Sequence, residues 1–168
     1  DVSLGVIGTL SVIVGLLYAG AWETVLRFLH ATPFGVTDPI FGLDVAFFVY
    51  TLPLLNLLVG FLLLVLVLGL LFSLALYLLP FVTEAPEAEV GFTLDTVTAY
   101  SFLRSHVYGH LIIYVGTIMV VLGGSFAIDR YELLYSTRGV VFGMGATDQT
   151  IVLPLLGVLS VTAALGGI

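Results

Sequence analysis

From Val45 to Thr83 the chain carries no aspartate, glutamate, lysine or arginine. Few folds are open to such a run. A helix that crosses a hydrocarbon layer about 30 Å thick needs about 20 apolar residues, each rising about 1.5 Å. The run meets that need with residues to spare. The rest of the chain agrees with it: 60% of residues are hydrophobic, 9% are charged, and the mean hydropathy is +1.24. That is too little charge to cover the surface of a soluble domain, so the class is integral membrane protein.

Four segments read as spans, at about 4–21, 54–79, 107–128 and 151–168. Trp22 and Tyr18 would anchor the first at an interface. Pro53 suits the first turn of the second, where a missing N–H is tolerated. From Leu54 to Leu79 that helix would be about 39 Å long, so it must tilt or protrude. Apolar helices gain nothing by leaving lipid for one another, so close packing relies on small residues at four-residue spacing. Ser11, Gly15 and Ala19 supply such a face in the first span, Gly69 and Ser73 in the second, and Ser160 and Ala164 in the fourth. These read as seams within one bundle, with a second copy of the chain as the alternative partner. The expected fold is all-α: an integral membrane helical bundle of about four transmembrane helices with short interfacial helices, residues 1–168 forming one domain.

Charge and composition exclude several functions. Eleven acids face four arginines, there is no lysine, and the net charge is −7. Nucleic acid is excluded as a partner, because the phosphate backbone demands cationic patches. With no cysteine, thiolate metal sites and cysteine nucleophiles are excluded too. No G-x-S-x-G elbow or phosphate-cradling glycine loop is present, and no cofactor is implied. Asp1 is no initiator methionine and Ile168 falls inside an apolar segment, so the sequence reads as part of a longer chain.

The polar residues gather in the connections. The stretch TPFGVTDPIFGLD, residues 32–44, sets Asp38 before Pro39, the pattern of an N-cap followed by proline at the first helical position. Gly42 would end that short turn, and Asp44 would cap the helix beginning at Val45. The competing reading makes Thr37, Asp38 and Asp44 converge on a polar ligand or ion. FGVTD at 34–38 is echoed by FGMGATD at 142–148, ending in Asp148, which raises the idea of a parallel internal repeat. Asp129 and Arg130 mark the water edge of the third span, and Arg130 could reach across to Asp38 or Asp44. His106 and His110 share a helix face and are weak metal candidates, since HVYGH lacks the glutamate of HExxH. Interfacial hydrogen bonding suits them better.

Two blocks carry a resemblance. WETVLRFLHATPFGVTDPIFGLDVAFFVYTLP, residues 22–53, and DRYELLYSTRGVVFG, residues 129–143, with Thr147-Asp148 after it, resemble the signature of uncharacterised protein family 0182. These are long prokaryotic multi-pass membrane proteins. The resemblance implies a longer membrane region, then a large non-membrane part and an acidic tail. It also implies that the signature loops at 22–53 and 129–150 are exofacial. The arginine count points the other way, since Arg27, Arg130 and Arg138 share one side against Arg104 on the other. The expected location is the cell membrane, multi-pass. The expected partners are the lipid bilayer and the remainder of the chain. A structural or interaction role, with exofacial loops docking an outer domain or partner, is the leading function. A transporter or channel component is the alternative, and a membrane-embedded enzyme with an acidic exofacial site the third.

Overall fold

The structure is a computed structural model that describes residues 2–83, 94–136 and 143–168, with side chains described for all of these except 2–3 and 78–106. Regular structure among the described residues is helical, apart from one isolated bridge pairing Thr37 with Asp44. The chain divides into two compact units, residues 1–58 and 59–168.

The first unit opens with α1 (Val2–Leu17) and α2 (Ala21–Leu29). The span expected at about 4–21 is not one continuous helix. Helix α1 stops at Leu17, and the axis bends by 53° into α2. Ala19 and Ala21 donate to the carbonyls of Leu16 and Tyr18, tight three-residue closures that end one helix and start the next. Gly20 at the N-cap of α2 offers no side-chain cap, so the corner rests on glycine's freedom. The two helices differ in character. α1 is apolar all round, whereas α2 is strongly amphipathic, the pattern of a helix lying in an interface. On its polar side Arg27 donates to Glu23 at 2.6 Å, an exposed pair of the kind worth about 0.3–0.5 kcal/mol.

The helix after the loop begins at Val45, passes through a π turn at Phe47–Thr51, and becomes α3 (Leu52–Thr83). In the second unit α4 (Leu94–Glu132) ends in a 3-10 turn, Leu133–Tyr135, and a second π turn, Asp148–Val152, opens α5 (Leu153–Gly166). Among the described residues, three continuous helices are long and apolar enough to cross a membrane: Phe47–Tyr77, Val107–Tyr135 and Asp148–Gly166. The bent α1–α2 pair would make a fourth.

α5 lies along α4, and the seam is made of small residues. A Cβ placed on Gly123 would meet the Ser160 carbonyl at 2.7 Å and the Ala164 amide at 2.9 Å. One placed on Gly116 would meet the Gly167 carbonyl at 2.6 Å. As α4 steps back from 123 to 116, α5 steps forward from 160 to 167, so the two run antiparallel with backbones in contact. Ser160 and Ala164 were the expected seam of the last span. Their glycine counterparts, one every seven residues on α4, were not singled out. Gly69 of α3 lies under the ring of Tyr114, 3.1 Å from where its Cβ would be. Ser11 instead donates to its own helix at the Ile7 carbonyl, and nothing lies within 4 Å of a Cβ on Gly15.

Little else is covered. Among the described residues the buried apolar side chains are Phe48, Leu52 and Ala163, and no polar side chain is buried. Residues such as Leu16, Ile112 and Leu165 stand open. An apolar surface of this extent needs lipid or more protein against it.

Candidate functional site

The loop between α2 and the π turn is built by its own hydrogen bonds. Asp38 N–H donates to the Leu43 carbonyl at 2.8 Å, Gly42 N–H to the Asp38 carbonyl at 2.9 Å, and Val45 N–H to the Val36 carbonyl at 2.9 Å. These fold residues 36–45 into a short antiparallel clamp. Pro39-Ile40-Phe41 makes a single turn rather than a helix, and Gly42 closes it at φ +67. Gly35, at φ +70, supplies the second left-handed corner, and sequence reading had not picked it out.

Both aspartates accept from backbone amides of this loop. Asp38 Oδ2 accepts from Ile40 N–H at 2.9 Å and Phe41 N–H at 2.7 Å. Asp44 Oδ1 accepts from Ala46 N–H at 2.8 Å and Phe34 N–H at 3.1 Å, and its Oδ2 from Gly35 N–H at 2.9 Å. The expected cap of the helix at Val45 is therefore present, and the same carboxylate also ties the helix start to the far strand of the clamp. The Ala46 amide first, then that of Phe34, hold the Asp44 carboxyl below its ordinary value of 3.8; burial opposes them, and the Gly35 amide adds the smallest lowering. Thr37 is exposed and joins the site through its backbone bridge to Asp44. The polar edge of the loop thus closes on itself, while Phe34, Val36 and Ile40 are exposed at 52%, 62% and 37%. Phe34 also stacks on Tyr50 at 5.9 Å between centroids.

In the second unit Asp129 and Arg130 sit in the last turn of α4, where a cation complements the negative end of the helix. The Arg130 guanidinium lies against Gly157 of α5, its Nη1 3.8 Å from where a Cβ would be. Its Nε is shielded from solvent and has no hydrogen-bond partner among the described residues. Asp148 Oδ2 accepts from Gly145 N–H at 3.1 Å, a lighter version of the Asp44 cap. His110 shares a hydrogen bond of 2.8 Å between its Nδ1 and the Tyr77 hydroxyl, and its ring meets Tyr114 edge-on. The side chain of its proposed companion His106 lies outside the described residues. Among the described residues no three His, Cys, Asp or Glu side chains gather as metal ligands would.

The echo between the loops is real but differently aligned. Gly42 and Gly143 both have positive φ. The π turns follow at 47–51 and 148–152, and the helices then begin Leu52-Pro53-Leu54-Leu55 and Leu153-Pro154-Leu155-Leu156. Each of these positions is displaced by 101 residues, as Leu52 to Leu153 shows. The expected partner of FGMG was FGVT at 34, whereas the displacement pairs it with FGLD at 41.

The sequence pattern of an uncharacterised protein family, UPF0182, matches residues 1–168. The chain belongs to UPF0182. It is similar to a UPF0182 protein of Methanospirillum hungatei, with 30% identity over 93% of this chain and 18% of that relative. A UPF0182 protein of a Nostoc species is 33% identical over 90% of this chain and 14% of its own length. One from a Synechococcus species is 36% identical over 86% and 16%. This chain thus spans 14% to 18% of the length of these UPF0182 relatives. No solved structure matches it.

Proposed function

We propose that this chain is a membrane-embedded helical region of a multi-pass envelope protein, and that loop 30–46 is a rigid exofacial bracket that docks the remainder of its own longer chain. The observation that carries the reading is how the loop uses its groups. Asp38 gives one carboxylate oxygen and Asp44 both to amides of the same loop, and Phe34, Val36 and Ile40 are left exposed. A ligand site would keep its charges available, and a bracket spends them on rigidity. The relatives are several times longer than this chain, so protein to occupy the apolar rim exists in the same polypeptide. A photo-crosslinking residue at Val36 of the full-length protein tests this. Crosslinks should map to the non-membrane part of the same molecule, and exclusive crosslinking to lipid would sink the reading.

A second reading, a transporter or channel component, rests on the repeated helix start. Proline-interrupted apolar segments at corresponding positions of two halves are the pattern found around transporter binding sites. It requires Asp38→Asn or Asp44→Asn to reduce uptake of some solute while leaving the protein level unchanged.

A further inference from the structure

We propose that Arg130 holds the phosphate group of an anionic lipid at the end of the α4–α5 seam. A guanidinium stays charged at any accessible pH, and away from water its donors need acceptors. The Arg130 Nε is cut off from solvent and has no partner among the described residues, while the head of the side chain rests on Gly157, where α5 presents no side chain. Val161 and Leu165, one and two turns on from Gly157 along α5, are exposed at 59% and 66%. A fixed positive group on α4 therefore stands beside an uncovered apolar track on α5. That pairing suits an amphiphile, with an anionic head on the arginine and acyl chains along α5. Tyr135, five residues further on and exposed, marks this as the level where headgroups begin. Basic pockets between membrane helices take lipid phosphate on these grounds. A phosphate also matches the arginine fork in two directions, which a backbone carbonyl cannot do.

The test uses the full-length protein in nanodiscs of phosphatidylcholine alone, or of phosphatidylcholine with phosphatidylglycerol. Lipid retained on the purified protein is counted by native mass spectrometry, and the thermal midpoint is read in both bilayers. Phosphatidylglycerol should be retained by the native protein and raise its midpoint. Arg130→Gln should lose retention about fivefold, the effect of one interfacial arginine on an anionic headgroup. Arg27→Gln, which removes a solvated pair on α2, should retain lipid like the native chain. Gly157→Leu keeps the charge but crowds the guanidinium, and it should lose retention too, so the test survives if Arg130→Gln fails to fold. Millimolar inorganic phosphate that displaces the lipid from the native protein, but not from Arg130→Gln, would uphold the phosphate site and make a soluble anion its second source. Unchanged retention in both Arg130→Gln and Gly157→Leu overturns the proposal. So does an equal loss of midpoint by Arg130→Gln with and without phosphatidylglycerol, which would assign the arginine to a carboxylate of the protein.

Discussion

Asp44 is the residue on which the loop before α3 turns, because one carboxylate accepts from amides on both sides of the clamp. Asp44→Ala should raise hydrogen exchange at the amides of Phe34, Gly35 and Ala46 while leaving α4 and α5 unchanged. The pH dependence follows from the same bonds. The folded-state value is depressed, so the stabilisation is fully present above the ordinary 3.8 and is lost as pH falls through the lower folded value. Exchange at Gly35 and Ala46 should therefore be protected at neutral pH and rise only in strong acid, and Asp44→Asn should lack that acid limb. Gly42 is a separate test. Its Cβ position is open, so Gly42→Ala costs only the left-handed backbone, about 1–2 kcal/mol, visible as a lower thermal midpoint. Much of this was legible beforehand, since aspartate before an apolar helix and glycine after a proline turn have local causes. The bonds from Asp44 back to Phe34 and Gly35 were not. They join residues about ten apart, and their geometry depends on the clamp having formed.

Among the elements, α4 and α5 show what an apolar pattern can and cannot say. Their hydropathy made them helices long enough to span, but neither carries an amphipathic stripe, so composition could not point to the contacting face. The glycines could: Gly116 and Gly123, seven apart, fall on one helix face. Gly123→Ala forces a methyl into the Ser160 carbonyl and Ala164 amide, and should cost about 1–3 kcal/mol of stability in detergent. Gly124→Ala is the control, because among the described residues nothing lies within 4 Å of its Cβ. There alanine should be neutral or stabilise by up to about 1 kcal/mol through helix propensity. The bend after Leu17 was illegible for the opposite reason. No proline or charge announces it, and Gly20 alone inside an apolar run is compatible with a continuous helix. The π turns escaped as well, since a five-residue widening leaves the apolar character of the run intact.

At the scale of the whole molecule the displacement by 101 residues says more than the matched letters did. Two helix starts share a positive-φ glycine, a π turn and a Leu-Pro-Leu-Leu opening, although Asp44 and Gly145 occupy equivalent positions with unlike chemistry. The carboxylate has moved to Asp148, three residues on, where it bonds the amide of that same Gly145. The shared feature is thus a capped, proline-led start rather than a ligand-binding pair, which is why letter matching aligned it wrongly. If α3 and α4 both cross the membrane, the two starts must face the same side and the connection between those helices the other. No cysteine occurs in this chain, so Thr37→Cys, Gly145→Cys and Ala88→Cys each add one label site to it. In intact cells an impermeant maleimide should label the first two at comparable rates and leave the third untouched until the membrane is opened. Labelling at Thr37 without Gly145 would mean that one of these helices does not cross. Labelling of Ala88 alone would keep the paired starts but put them inside, removing the outward bracket while leaving the capped geometry of both loops intact.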